Sequence, residues 1–197
     1  MYIWINPLWR VSVRNLKAYR RRKSTIIVAN HQSVLDIFVM YKMFPVARWI
    51  SKSENFKIPF IGWAMRLARA IEIKRGSRVS TRALFEKAGE ALQSNCSILI
   101  FAEGTRSKDD DLRPFKPGAF DMAIQNKRPI QPVVLYGTGK ALPKHGYIMK
   151  KGQKMILEVL DEIPYEAFKD MDTHELAKMV HEKMRAKYIE LRDEINR

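Results

Sequence analysis

Apolar runs no longer than a strand alternate in this chain with longer stretches of helical periodicity. The most apolar are Thr25-Ile-Ile-Val-Ala29 and Ile98-Leu-Ile-Phe-Ala102. Short runs rich in β-branched residues read as strands buried on both faces, and fall far below the roughly 18–20 apolar residues of a membrane-crossing helix. Strands are expected over 25–29, 46–51, 70–74, 97–102, 130–136 and 154–160. Helices are expected over 33–43, within 60–68, and over 77–94, 119–125 and 173–194. Ser33 and Ser77 are candidate helix caps, and Asp172 with Glu175 has capping-box spacing. The alternation predicts an α/β fold, a layered domain with a mostly parallel central sheet flanked by helices. In such sheets the working residues gather on loops beyond the carboxyl ends of strands.

Composition narrows the possibilities. A length of 197 residues with 46% hydrophobic content is enough for one domain with a real core. The single cysteine, Cys96, excludes an internal disulfide framework and a cysteine-rich metal site. The formal net charge is +15 and unevenly placed. No acidic residue precedes Asp36, while Arg10, Arg14, Lys17, Arg20, Arg21, Arg22 and Lys23 crowd the first stretch beside Trp4 and Trp9. Indole and aliphatic side chains next to cations suit the boundary between anionic headgroups and acyl chains. Residues 1–23 are therefore expected to form a basic, Trp-containing lead-in at a membrane surface, and 24–197 the folded domain. The opening Met1-Tyr-Ile-Trp-Ile-Asn-Pro has neither the basic lead nor the apolar length of a signal peptide. Nucleic acid is the rival polyanion. With no RNP-type aromatic motif, helix-turn-helix signature or zinc finger in the sequence, it is not expected as a partner.

Both apolar runs end in polar turns. Asn30-His31-Gln-Ser-Val-Leu-Asp36 follows the first, and Glu103-Gly104-Thr105-Arg106-Ser107 the second. A His on a strand-end loop, four residues short of an Asp at a helix start, can fold so that the carboxylate meets Nδ1. Nε2 is then free to accept a proton. Plainer readings stay open. Asp36, three residues after Ser33, can simply support the helix start; His31 can be a hydrogen-bonded loop histidine; Gly104 can supply backbone freedom in a turn. His174 and His181 share a helical face without further metal ligands, and are expected as solvated residues.

Together the two blocks resemble the signature of the glycerolipid acyltransferase family, and within it the 1-acylglycerol-3-phosphate (lysophosphatidic acid) acyltransferases. Lys52-Ser-Glu-Asn-Phe-Lys-Ile-Pro59-Phe60-Ile-Gly62-Trp63, running on to Ile71-Glu-Ile-Lys74-Arg75, is similar to a second block of that family. Phe115-Lys116-Pro-Gly118 and Pro129-Ile-Gln-Pro132-Val-Val follow in the expected order. The resemblance implies acyl transfer from a thioester, acyl-CoA or acyl-carrier protein, to the sn-2 hydroxyl of lysophosphatidic acid, giving phosphatidic acid. It implies His31 as general base oriented by Asp36, with no acyl-enzyme. Arg106 is the first candidate for the acceptor's phosphate, Arg75 (with Lys74 beside it) the second, and Lys52 the third or a group near the oxyanion. Glu103 is expected to orient Arg106 or accept from a glycerol hydroxyl, with Gly104 and Thr105 completing that loop. No metal and no bound cofactor are implied; the donor is a co-substrate. The expected location is the cytoplasmic face of a membrane. Glycerol-3-phosphate or another lysophospholipid is the alternative acceptor, and a non-catalytic membrane- or polyanion-binding module the alternative of another class.

Overall fold

Ile26, Ile27, Val28 and Ala29 are all fully buried, and alternate residues enter opposite hydrophobic clusters, so this strand is covered on both faces. The computed structural model describes residues 2–3, 6–19, 24–44, 47–74, 76–107, 109–143 and 153–196. Its strands are β1 (Tyr2–Ile3), β2 (Asn6–Arg14), β3 (Ile26–Ala29), β4 (Arg48–Lys52), β5 (Ile71–Ile73), β6 (Ile98–Phe101), β7 (Ile130–Tyr136) and β8 (Lys154–Val159). Its α-helices are α1 (Leu35–Met43), α2 (Ile61–Leu67), α3 (Arg78–Gln93), α4 (Gly118–Gln125), α5 (Thr138–Ala141) and α6 (Thr173–Asn196). The strands form one sheet in the order β1-β2-β8-β7-β3-β6-β4-β5. From β7 through β5 every pairing is parallel; β8 runs antiparallel to β7, β2 parallel to β8, and β1 antiparallel to β2. The sheet is mixed and mostly parallel, as the alternation predicts.

Crossover handedness decides which helix covers which face. The connections β3–α1–β4 and β4–α2–β5 step one way across the sheet, while β5–α3–β6 and β6–α4–β7 step back. Right-handed crossovers then put α1 and α2 on one face and α3 and α4 on the other. The cores agree: Leu35, Val39 and Met40 pack with Ile27 and Ala29, whereas Leu84, Ala88 and Phe120 pack with Ile26 and Val28. Helix α6 lays Leu176, Val180, Met184, Tyr188 and Leu191 on the second face. Its expected capping box is present: Asp172 Oδ1 accepts from the N–H groups of His174 and Glu175, and Glu175 accepts from Asp172 N–H at 3.1 Å. Ser77 caps α3 by accepting from Ser80 N–H at 3.2 Å. Ser33, just ahead of α1, caps the helix start as expected: its Oγ accepts from Leu35 N–H at 3.3 Å and donates to Leu142 O at 2.7 Å.

The segment expected as a lead-in departs most from the sequence reading. Residues 6–14 are a strand of the central sheet, and Arg10 through Arg14 pair in parallel with Lys154 through Glu158. The boundary drawn between 23 and 24 therefore does not mark the edge of the sheet. The physical cause is visible in Trp9-Arg10-Val11-Ser12-Val13-Arg14, where apolar and polar residues alternate with period two. Val11 is buried in the α1-side core, and Arg14 reaches Glu194 on α6 at 2.6 Å. Trp4 and residues 20–23 lie outside the described residues. Among the described residues no helix is long and apolar enough to cross a membrane.

Candidate active site

Strands β3 and β6 are parallel neighbours with Ala29 opposite Phe101, so Asn30-His31 and Ala102-Glu103 leave the sheet side by side at its carboxyl edge. Asn30 is fully buried. Its side chain donates to Leu135 O at 2.9 Å and accepts from Leu135 N at 2.7 Å, adding a rung toward β7 beyond the end of β3. That pair fixes where His31 emerges. The backbone N–H of His31 donates to Glu103 Oε1 at 2.8 Å, and its carbonyl accepts from Ser107 N at 2.7 Å. Two loops far apart in sequence are thus joined through the main chain of His31.

The imidazole lies flat on Phe101, with ring centroids 4.0 Å apart and planes 14° from parallel. Its Nδ1 is 2.8 Å from Asp36 Oδ2, and the same oxygen accepts from the N–H groups of Gln32 at 2.7 Å and Ser33 at 2.8 Å. Supporting the helix start and holding the histidine, left as alternatives by the sequence, are one geometry. A carboxylate at that distance pairs with an Nδ1–H, the tautomer in which Nε2 of the neutral ring keeps its lone pair. The His31 side chain is 15% exposed and that of Asp36 0%: the ring can be reached and its carboxylate cannot.

Glu103 is also buried, and both its oxygens are engaged, Oε1 by His31 N–H and Oε2 by Arg113 N–H at 3.2 Å. The groups expected to orient Arg106 or meet a glycerol hydroxyl are thus taken up by main-chain donors. Burial pushes this carboxyl up to about 7, opposed by those two N–H bonds and assisted by the nearby charge of Asp36. Gly104 closes the turn with φ 68°, a left-handed conformation that suits glycine, and its N–H donates to Phe101 O at 2.9 Å. Thr105 and Arg106 are half-buried between that turn and Ser107. Lys52, also half-buried, ends β4, the strand beyond β6, at the same edge of the sheet. Arg75 lies outside the described residues, and Lys74 is exposed. Gly62 has a separate reason: a Cβ there would stand 2.1 Å from Phe56 O, so only glycine lets α2 press on the preceding turn.

Some of the supporting residues have no signal in sequence spacing. Gln32 Nε2 donates to the Tyr188 hydroxyl at 2.6 Å, and Tyr188 donates to Asp110 Oδ1 at 3.2 Å. Tyr136 reaches the other oxygen of Asp110 at 3.3 Å. A chain of polar contacts so runs from the histidine loop to α6. Among the described residues no group of three or more His, Cys, Asp or Glu side chains could hold a metal ion. His174 is exposed as expected, but His181 is half-buried with its ring edge-on to Phe115 at 4.9 Å, so it packs rather than being solvated. What the site offers is a buried carboxylate, an accessible imidazole nitrogen and cationic side chains at one sheet edge. That set suits taking a proton from a hydroxyl on an anionic molecule.

A protein-family model described as Acyltransferase matches residues 10–136, which takes in both strand-end loops. The chain is 37% identical over 142 residues to the chloroplastic 1-acyl-sn-glycerol-3-phosphate acyltransferase of Brassica napus, covering 72% of this chain and 41% of that protein. It is 34% identical over 189 residues to an uncharacterized acyltransferase of Schizosaccharomyces pombe, covering 94% of this chain and 67% of that one. It thus spans less than half the length of the first relative. The crystal structure of the 1-acyl-sn-glycerophosphate (LPA) acyltransferase PlsC from Thermotoga maritima has the same fold, with a TM-score of 0.80 at 29% identity over 92% of this chain and 72% of that one. With the matched stretch running from β2 to the end of β7 and the His31 and Glu103 loops joined inside it, the chain belongs to the acyltransferase family.

Proposed function

We propose that this protein moves a fatty acyl group from a thioester donor, acyl-CoA or acyl-carrier protein, to the sn-2 hydroxyl of 1-acylglycerol-3-phosphate, giving phosphatidic acid. The observation that carries the reading is the His31–Asp36 pair at 2.8 Å, with its ring reachable from solvent and its main chain bonded to the loop that bears Arg106. An alcohol is a weak nucleophile at neutral pH, so a positioned base is needed, and a general base of this kind contributes roughly 10²–10⁴-fold. His31 Nε2 takes the hydroxyl proton as that oxygen attacks the thioester carbonyl. Asp36 stabilises the imidazolium that forms. The carbon–sulfur bond then breaks and the imidazolium returns its proton to the leaving thiolate, so charge and protons balance. No metal and no bound cofactor take part.

Arg106 binds the acceptor's phosphate, since a guanidinium engages two phosphate oxygens at once. Arg75 is the second candidate for that phosphate, and Lys52 the third, adding charge at the same edge toward the phosphate or the developing oxyanion. Glu103 acts through His31, whose N–H it holds, while Gly104 and Thr105 shape the loop the ligand approaches. The acceptor named for the Brassica napus and Thermotoga maritima proteins supports the same reading. The reaction takes place at the cytoplasmic face of a membrane, where the cations of residues 1–23 other than Arg14, which is paired with Glu194, add attraction of about 1 kcal/mol each near an anionic surface.

The test is a thiol-release assay with lipid vesicles, each donor in turn, and lysophosphatidic acid, glycerol-3-phosphate or lysophosphatidylcholine as acceptor. Release with lysophosphatidic acid, matched by phosphatidic acid in the lipid extract, is expected. Release only with another acceptor reassigns the substrate, and none with any pair leaves a non-catalytic binding module.

A further inference from the structure

The outer face of α1 is apolar where a water-facing helix is usually polar. Val34, Ile37, Phe38 and Tyr41 follow the i, i+3, i+4, i+7 spacing of one helical face, and all four are exposed, while Leu35, Val39, Met40 and Met43 bury the opposite face. A second exposed set surrounds α2: Ile58, Phe60 at 76% exposure, Trp63 at 60% and Leu67 at 85%. Phe60 stands at φ 62°, a left-handed conformation costly for an aromatic residue, and its ring meets Trp63 edge-on at 5.3 Å. A strained backbone that holds an aromatic pair outward gains nothing in water. It gains if the rings are immersed in an apolar phase.

Position and charge identify that phase. The crossovers put α1 and α2 on the same face of the sheet, and both helices begin at its carboxyl edge, where Val34 lies three residues after His31. Lys57, Arg66 and Arg69 are exposed among the apolar residues of α2, and residues 57–69 include no acidic side chain. Large apolar and indole groups rimmed by cations match the headgroup–acyl boundary of an anionic membrane.

We propose that the exposed faces of α1 and α2 form one lipid-docking surface that inserts into an anionic monolayer and brings His31 to an acceptor still seated in it. The docking rests on the reading of the acceptor as a membrane lipid. The full chain carrying Phe60→Ser, Trp63→Ser and Leu67→Ser, and separately Ile37→Ser with Phe38→Ser, is compared with the unaltered protein, with melting curves as the check on folding. Sedimentation with phosphatidylcholine–phosphatidylglycerol vesicles is expected to fall at least tenfold for both variants. Transfer to vesicle-embedded lysophosphatidic acid should fall likewise, while the Phe60/Trp63/Leu67 variant keeps its rate on a short-chain, water-soluble acceptor. Unaltered sedimentation overturns the proposal. So does an equal loss on the soluble acceptor, which would make α2 part of an acyl-binding wall, or a dimer in lipid-free solution that the variants dissociate, which would make the face a contact between copies. Should the unaltered protein dock through this face yet release thiol with no donor, the docking surface stands and the acyl-transfer reading falls.

Discussion

Asp36 Oδ2 receives three hydrogen bonds, two from the main chain and one from His31, so a single atom sets both the loop's shape and the ring's tautomer. That arrangement was legible in the sequence because it is local, spanning only the turn from strand to helix. The duty of Glu103 was not, because its partners are main-chain groups of His31 and Arg113 that only the tertiary fold brings near. Glu103 gives a pH prediction with a definite sign. Its folded carboxyl, near 7, lies above the ordinary 4.5, so the folded state binds its proton more tightly, and stability falls as pH rises between those values. The slope is at most about 1.4 kcal/mol per pH unit. Glu103→Gln lacks this titration, so the stability of the natural protein relative to the variant should be greater near pH 5 than near pH 8 in urea denaturation. A difference independent of pH would contradict the burial argument. At Arg106, replacement by Ala should raise the KM for lysophosphatidic acid more than that for the thioester. An unchanged acceptor KM would move phosphate binding to Lys52 or Arg75.

Among the elements, β3, β6 and β7 were readable as short apolar runs, and α3 and α6 from their caps and periodicity. Strand β2 was hidden because its alternation lies among a dense run of cations and indoles, which points to a membrane surface rather than to a sheet edge. The contact of α6 with the histidine loop was hidden for another reason: helix periodicity marks Tyr188 as core, but nothing in it says that its hydroxyl meets Gln32. Tyr188→Phe removes the bonds to Gln32 and Asp110 and leaves a buried amide short of a partner, at a cost of about 1–3 kcal/mol. The expected signature is a lower melting temperature with a reduced kcat and an unchanged acceptor KM. An unaltered kcat would confine Tyr188 to a structural role.

At the scale of the whole molecule, the fold is a frame that joins two loops across one shared edge. β3 and β6 deliver His31 and Glu103 together, β7 holds Asn30 from the other side, and α6 braces Gln32 from beneath the sheet. Removing residues 1–14 should lower the melting temperature and promote aggregation, because β8 loses its parallel partner, the core loses Val11, and an unpaired strand edge faces solvent. A shortened chain that stays monomeric and equally stable would show β2 to be dispensable.

The most direct measurement is the initial rate of phosphatidic acid formation from acyl thioester and lysophosphatidic acid, followed by mass spectrometry with the natural protein and with His31→Ala at matched melting temperature. A loss of at least about 10²-fold is predicted. Rates within a small factor of one another, with the variant folded, would remove His31 from the chemistry and the account with it.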